Sequence, residues 1–561
     1  MSRRTPPSDP FRRRLLAGMA ALTGTAMLPG CGDSSPLLRD GGERVPGAVP
    51  SSVTLPAPGT GDAAAVFPSS VASGDPTPAG AVIWTRVAPE AMKPGEDLLW
   101  QIAEDEAFAR PVAAGRMSTA ALTARNDHTI KLDTHGLLQP NRFYWYRFAH
   151  AGVSSRGGRL RTLPRPDEAV DRLRLLVTSC QDYTFAFFHA FGEMAGVEAD
   201  YLVHLGDFIY ESAIAPLRVI RLPSGASYAS TREDLFTIYR THRSDTHLQA
   251  LLERHTLLAT FDDHEFANDL YFDGERPRGP DHPLDEDAAA MSAYVRDAFD
   301  AWYRYLPVRV GYRPEAPFPE VMQAWRSFRF GKLAELAMVE LRTHRSPHPC
   351  GEANLGERQL VQESQCEARH EEGRTMMGAA QKRWMLDTLR GSGAQWRLLG
   401  LPVPFSPIRA ARTPPMLYET DHWDGYTAER TELLHELAGT PDLVVLAGDL
   451  HAFGAGTLQD GYPDGPAVGA EFITSCAAAT PIASPINLPA TLFLQSSTVL
   501  ANNPHLALWD GSRNGWIELE ITPAGCTATM RAMLAQLPLA NPSSELASFR
   551  VEAGKPGVIR A

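Results

Sequence analysis

The chain has 561 residues, 44% of them hydrophobic and 21% charged, with a formal net charge of −13. That length leaves room for two or three domains and a large core, and the composition is that of a globular protein rather than a fibrous or disordered one. The acidic balance excludes a broad nucleic-acid-binding surface and leaves solvated faces or cation binding as uses for the excess carboxylate.

The chain begins "MSRRTPPSDPFRRRLLAGMAALTGTAMLPGC", a basic start followed by an apolar run from Leu15 to Leu28 and then Cys31. The run is too short for a stable membrane span, so residues 1–31 read as a secretory leader. "RRRLL" at 12–16 resembles a twin-arginine export signal, a route taken by proteins that fold, and load metal, before export. "LPGC" at 28–31 resembles a lipoprotein cleavage box, which would make Cys31 a lipid anchor; Pro29 is unusual in such a box, so the lipidated and unlipidated forms stay open. A periplasmic or cell-surface location follows from either form. Residues 32–64, rich in Gly, Pro, Ser and Ala, read as a flexible linker.

Residues 65–163 hold short strand-like segments, "AVIWTRV", "LLWQIAED", "HTIKLDT" and "FYWYRFAHAG", separated by the turn-like "SGDPTPAG" and "LQPN". Their spacing predicts a small N-terminal β-sandwich. "GLLQPNRFYWYRF" resembles the corner of fibronectin- and Ig-like sandwiches, with Tyr144 as the corner tyrosine.

From 172 to 540 the pattern becomes α/β. "LRLLVTSC", "ADYLVHLGD", "WRLLGLPVPF", "PDLVVLAGDLH" and "AEFITSC" are apolar strands with polar tips. Helical stretches such as "REDLFTIYRTHRSDTHLQALLERH", "DAAAMSAYVRDAFDAWYRYL" and "GAAQKRWMLDTLRGS" lie between them. The long insertion at 269–330 is a candidate lid, with "DGERPRGPDHPLDEDAAA" as its flexible part. Cys350 and Cys366 lie in a polar insertion at a spacing that permits a disulfide. Residues 541–561 read as a tail. No dinucleotide or P-loop glycine motif stands out.

Chemistry concentrates at four strand tips. In "TSCQDY", Cys180 follows an apolar strand; alone it would be inert packing, but beside other ligands a thiolate suits a soft or trivalent metal. In "GDFIYES", Asp207 can bridge two cations and Tyr210 sits about one turn on, with Glu211 beside it; a phenolate favours ferric iron, whereas a turn cap and half-buried packing are the plain alternative. In "TFDDHEFAND", adjacent acids repel unless neutralised, His264 can act as a general acid, and Asn268 offers a neutral oxygen to a hard cation. In "VVLAGDLHAFG", Asp449 and His451 are two residues apart and so face one side of an extended chain. Four such tips would assemble a binuclear site with mixed soft and hard ligands.

The set "SCQ", "GDFIYE", "DDHEFAN" and "GDLHAF", preceded by "SVASGDPTPAGAVIWTRV", resembles the PhoD-like family of alkaline phosphatases and phosphodiesterases within the calcineurin-like metallophosphatases, over roughly residues 65–540. The resemblance implies a four-layer αββα metallophosphatase sandwich behind the small β-sandwich, twin-arginine export, and a centre of one Fe3+ and one or two Ca2+. By motif match, Cys180, Asp207, Tyr210, Asn268, Asp449 and His451 fall on metal-ligand positions, with Asp207 bridging, and His264 faces the phosphate. The wider group has Asn-His where this chain has Asp263-His264, so either Asp263 is a ligand with a catalytic part or Asn268 takes over that duty. "SCQDY" lacks the wider group's Asp-x-His, and Asp262 has no assigned place. "YETDHWDGY" at 418–426 resembles a segment at the substrate mouth, giving Trp423 and Tyr426 as substrate contacts or as packing. Arg342 and Arg345 in "LRTHR" suit either phosphate or structural pairing.

These expectations describe an exported phosphoester hydrolase in which metals neutralise the phosphate and lower the pKa of the attacking water, with His264 serving the leaving group. Its partner would be a phosphoester substrate, its state a monomer. Two alternatives remain: a diesterase or phospholipase D-type enzyme of the same fold, and a metal-stabilised envelope binding protein with closed structural sites.

Overall fold

The computed structural model describes residues 55–213, 217–351, 360–410, 417–484, 495–538 and 541–561. The leader, Cys31 and most of the predicted linker lie outside them. No helix among the described residues is long and apolar enough to cross a membrane.

Two large sheets organise the molecule. The first has eleven strands, centred on the parallel trio Leu173–Gln181, Tyr201–His204 and Thr256–Ala259. The second has seven, with Ala334–Met338, Trp396–Leu401, Leu443–Ala447 and Ala467–Ile473 running parallel in that order. Strand residues alternate faces, and the two faces are sorted by what they meet. Leu175, Val177, Val203 and Leu258 point inward against Leu336, Leu398, Val444, Leu446 and Phe472 of the second sheet. Leu176, Leu202 and Leu257 point outward, under helices Arg232–Ser244, Thr246–Arg254 and Ala288–Tyr305. Leu399, Leu401 and Val445 of the second sheet lie beneath helices Gly378–Gly391 and Thr427–Leu437. The single helical stretch expected over 232–255 is two helices, because Asp245 leaves the helical region at φ −68°, ψ 128° and caps the second through His247 and Leu248.

Several expectations are corrected. The N-terminal region is not separate from the main sheet. Val71–Thr77, Gly80–Arg86 and Thr129–Asp133 extend the eleven-stranded sheet, joined where Gly74 pairs in parallel with Leu257. They also pack Val71, Ile83 and Leu132 against Trp100, Ile102 and Tyr146, all three on a separate five-stranded sheet. "SGDPT" is therefore strand, not turn. The register slips between Gly74 and Thr77, Asp75 takes φ 42°, and a Cβ at Gly74 would lie 2.8 Å from the Leu257 carbonyl, so glycine permits the pairing. Tyr144 is buried and its hydroxyl accepts from Gln139 N (3.0 Å).

The linker ends sooner than expected: Leu55 is buried and Gly59 N donates to the Ser155 carbonyl (2.9 Å). Residues 541–561 are not a tail, since Ser544–Glu552 and Ile559–Arg560 complete the edge of the first sheet. The candidate lid at 269–330 is a packed layer. Helix Ala288–Tyr305 buries Met291, Phe299 and Trp302, and Arg278 and Asp285 pin the polar stretch before it. Cys350 and Cys366 form a disulfide with Cα atoms 5.5 Å apart.

Candidate metal centre

The polar tips converge because they leave the carboxyl ends of parallel strands, where open α/β sheets build their sites. Cys180 ends Leu173–Gln181, Asp207 follows Tyr201–His204, Asp262 and Asp263 follow Thr256–Ala259, and Asp449 and His451 follow Leu443–Ala447. Cys180 (φ 56°), Asp207 (59°), Asp269 (55°), Asp449 (63°) and His451 (52°) all adopt the left-handed region. Non-glycine residues enter it at a cost and persist there only where their surroundings fix them. Two glycines allow the crowding. A Cβ at Gly206 would lie 2.6 Å from the Asp262 Cβ, and one at Gly448 would lie 2.9 Å from the Ser179 Cβ. Glu265 clamps the turn, accepting from the backbone N–H groups of Asp207 (3.1 Å), Phe208 (2.8 Å) and Asp262 (2.9 Å).

The structure brings three candidate ligands to one spot, with one ligand atom each of Cys180, Asp207 and His451 within 4.8 Å of one another. Tyr210 joins them: its hydroxyl lies 3.0 Å from Asp207 Oδ2 and 2.9 Å from His451 Nε2. His451 Nδ1 lies 2.7 Å from the Thr480 carbonyl, which fixes the ring proton on Nδ1 and leaves Nε2 as a lone pair. One phenol proton thus faces two acceptors. Thiol, carboxylate, phenol and imidazole together are short of positive charge and match the donor set of a trivalent or soft ion. Burial pushes the Cys180 thiol up, with Asp207 and Asp449 adding to it, and pushes the Tyr210 phenol up, with Asp207 and Cys180 adding. A nearby cation reverses both.

The second half is carboxylate. Asp207, Asp262, Asp263 and Asp449 meet within the same 4.8 Å limit. Burial raises Asp207 well above the ordinary carboxylate range, with Asp263 and Asp262 reinforcing against the opposing His264. Burial also raises Asp262 and Asp269. Asp262 Oδ2, Asp263 Oδ1 and Asp269 Oδ2 are buried with no hydrogen-bond partner. Unpaired buried carboxylate oxygens are costly unless an ion meets them, so the residues present fit a hard divalent cation.

Arg342 supplies the counter-charge the protein itself provides. Fully buried, it bonds Asp262 through Nε and Asp421 through Nη1 (2.8 Å), and its Nη2 lies 3.6 Å from Asp263. Arg345 and His348 complete the shell of Asp421. Burial alone would raise Asp421, but Arg342 and Arg345 outweigh it and hold the carboxyl well below its usual range. Both arginines are thus engaged in structural pairing, and Asp262 has its place as an Arg342 partner.

His264 is the more open part, its side chain 20% exposed. Its Nδ1 lies 2.8 Å from Glu211 Oε2, and its ring stacks on Tyr210 at 4.0 Å. Burial opposes a charge on it, but Glu211 and Asp263 lift it well above the ordinary histidine value. A ring nitrogen of His264 and single oxygens of Asp207 and Asp263 also fall within the 4.8 Å limit.

Three sequence candidates stand elsewhere. The Asn268 side chain donates to Asp281 (3.3 Å), and only its backbone N–H reaches the shell, donating to Glu211 (3.0 Å). Trp423 and Tyr426 are fully buried and are corrected from substrate contacts to packing: Trp423 stacks edge-on against Phe405, and Tyr426 receives Arg345 Nε. An indole with no exposed surface touches no substrate. In the same segment, the neighbouring His422 bonds Asp449 Oδ2 through Nε2. Burial opposes its charge, but Glu419 and Asp449 raise it to about 9. Sequence reasoning assigned no role to Glu211, Glu265, Asp269, Asp421 and His422. Their signal was present only as acids and a histidine within a few residues of the chosen motifs.

Comparison with known proteins bears on the family and the fold. A family model for the PhoD-like phosphatase matches residues 175–530, and one for the PhoD-like phosphatase N-terminal domain matches 54–164. Alkaline phosphatase D of Bacillus subtilis (strain 168) is 29% identical over 485 residues, covering 83% of this chain and 77% of its own. A solved structure titled "Structure of PhoD" superposes with a TM-score of 0.76 at 26% identity, over 89% of this chain and 92% of that one.

Proposed function

The chain belongs to the PhoD-like phosphatase family and is a phosphoric ester hydrolase; from that premise we propose that it is an exported, metal-dependent alkaline phosphatase with phosphodiesterase capacity. The convergence of Cys180, Asp207, Tyr210 and His451 beside Asp262, Asp263 and Asp449, with carboxylate oxygens left unpaired in the interior, carries the metal-dependent part of the reading.

Cys180, Asp207, Tyr210 and His451 would hold Fe3+, and Asp207, Asp262, Asp263 and Asp449 one or two Ca2+. Bound there, the metals supply charge neutralisation for the phosphate and acidify the attacking water. The chain's own residues do the rest. Glu265 and Gly206 hold Asp207 in its left-handed turn. Glu211 accepts the Nδ1 proton of His264, so Nε2 is the nitrogen available to the phosphate or its leaving oxygen. His422 holds Asp449, and Arg342 fixes Asp262 against Asp421. Asn268, displaced onto Asp281, leaves its ligand duty to Asp263.

Helices outside both sheets support the four-layer αββα description, and the Tyr144 hydroxyl bond supports the Ig-like one. "RRRLL" supports twin-arginine export, and the lipid anchor at Cys31 remains part of the same proposal. Open edges at His264 and Asp449 favour an enzyme over a closed structural metal site.

The test is hydrolysis of p-nitrophenyl phosphate and bis-p-nitrophenyl phosphate by natively exported protein, with elemental analysis of the same sample and an Asp207→Ala control. Iron and calcium with turnover, both lost in the control, are expected. Full metal occupancy with no turnover of either ester would overturn the reading, and the ratio of the two rates ranks monoester against diester.

A further inference from the structure

The Cys350–Cys366 disulfide joins two arms that grip one loop of the site. The loop, residues 417–426, carries His422, whose Nε2 bonds Asp449 Oδ2 and whose Nδ1 lies 3.5 Å from Glu419 Oε2. It is tight at its centre, where a Cβ on Gly425 would lie 2.1 Å from the Thr420 carbonyl oxygen. Residues 345–350 form the first arm. Arg345 Nη2 donates to the Asp421 carbonyl (2.6 Å), His348 Nε2 lies 2.9 Å from Asp421 Oδ1, and the Ser346 carbonyl accepts from the Tyr426 hydroxyl (2.7 Å). Residues 360–370 form the second arm. Leu360–Gln362 pairs antiparallel with Leu417–Glu419, Arg369 Nη1 donates to the Asp424 carbonyl (3.1 Å), and the Arg369 guanidinium lies over the Tyr418 ring at 4.0 Å. Each arm therefore holds the loop on both sides of His422. Cys350 stands two residues beyond His348, and Cys366 three before Arg369.

A hydrogen bond exchanges readily with water, so either arm can let go of the loop on its own. An intact disulfide fixes how far the two arms can part. Cys366 is buried, but Cys350 is exposed, so a thiolate can reach one sulfur of the bond. Metal ligands depend on the groups that orient them, and losing such a group lowers metal affinity about tenfold to a hundredfold. Asp449 depends on this loop through His422. Asp207 and His451 have other supports, Glu265 and the Thr480 carbonyl.

We propose that Cys350 and Cys366 are positioning residues for the carboxylate half of the metal centre. Their disulfide clasps the 417–426 loop, the loop holds His422, and His422 aims Asp449, so that this half reaches full affinity only in the oxidised chain. The inference rests on the reading of Asp207, Asp262, Asp263 and Asp449 as a calcium site. Reduction by a dithiol breaks the S–S bond, delivers two electrons and two protons to the two sulfurs, and closes the reductant to its cyclic disulfide.

The test compares the full-length holoenzyme with its Cys350→Ser, Cys366→Ser double variant. The calcium concentration for half-maximal turnover of a soluble phosphoester should rise about tenfold in the variant, with iron content unchanged. A dithiol should shift the wild type by the same factor, reversibly on reoxidation, and leave the variant where it is. The wild-type arm decides the matter even where the variant fails to fold. Amide exchange across residues 417–426 should quicken in the variant, while 178–181 and 204–211 keep their rates. A calcium midpoint within about twofold of wild type would overturn the proposal. Iron lost together with calcium, or exchange quickened throughout the chain, would do so too, since the disulfide would then serve stability alone. Wild-type turnover that ignores calcium would sink the calcium reading instead, and the exchange of 417–426, which needs no metal, would then decide the clasp: unchanged rates there overturn it.

Discussion

At Asp207, three features act on one residue: a left-handed backbone, a carboxylate raised by burial, and a neighbour that has no room for a side chain. Gly206 (φ 119°) lets the turn pass the Asp262 backbone, where an added Cβ would meet N at 2.8 Å and Cβ at 2.6 Å. Gly206→Ala is expected to cost about 2–4 kcal/mol in urea unfolding and to lower bound metal, because the turn that aims Asp207 must shift. Unchanged stability and metal content would separate the turn from the site. Glu211 acts through another residue. It accepts from His264 Nδ1 and from Asn268 N, and it touches no other candidate ligand among its hydrogen bonds. Glu211→Gln keeps a hydrogen-bonding side chain but removes the charge that fixes the imidazole. Its kcat should fall roughly tenfold to a hundredfold, with KM within about twofold and metal content intact. A KM effect alone would place Glu211 in substrate binding instead.

Between elements, buried ion pairs hold the N-terminal strands to the rest of the molecule. Asp133, the last residue of Thr129–Asp133, receives Arg309 Nε (3.0 Å) and Nη2 (2.6 Å), and Asp75 receives Arg326. Burial would raise Asp133, but the hydrogen bond and charge of Arg309 outweigh it, leaving the carboxyl below its ordinary value of 3.8. A depressed carboxyl contributes stability above the unfolded-state value and loses it as pH falls through the folded one. Asp133→Asn should therefore cost about 2 kcal/mol at every pH from 5 to 8, and the gap to wild type should close only below about pH 4. A gap that narrowed near neutrality would show that another group carries the dependence.

Over the whole molecule, the eleven-stranded sheet runs from the N-terminal strands through the site-bearing trio to the last residues of the chain. Lys131 donates to the Tyr303 carbonyl (2.6 Å), Trp84 Nε1 to that of Arg304 (2.7 Å), and Arg243 lies over the Trp84 ring at 4.0 Å. A chain truncated to residues 165–561 should consequently fail to give soluble protein, since it exposes the edge strand Thr256–Ala259 and the apolar face of helix Ala288–Tyr305. Soluble, active truncated protein would mean that the N-terminal strands are an accessory. Metal removal is the second test at this scale. With the unpaired oxygens of Asp262, Asp263 and Asp269 left in the interior, exhaustive chelation should lower the thermal midpoint by several degrees, reversed by adding iron and calcium. A midpoint insensitive to chelation would mean that the carboxylates are satisfied without metal.

The sequence by itself determined the strands that carry chemistry and the residue types at their tips. An apolar run followed by Gly-Asp, or by Cys or Asp-Asp-His, is a local pattern, and the chain folds it where the pattern places it. Cys180, Asp207, Tyr210, His264, Asp449 and His451 were legible for that reason. Tertiary structure alone decided which side chains face the site and which turn into the core. Trp423 and His422 are adjacent, and only the packing of Phe405 against one and Asp449 against the other separates them. Likewise Asn268 turned to Asp281, "SGDPT" became a strand because the Leu257 backbone passes close to Gly74, and the last residues found a sheet edge to complete. These outcomes depend on partners roughly a dozen to nearly two hundred residues away, and no local pattern encodes the distance at which a partner will stand.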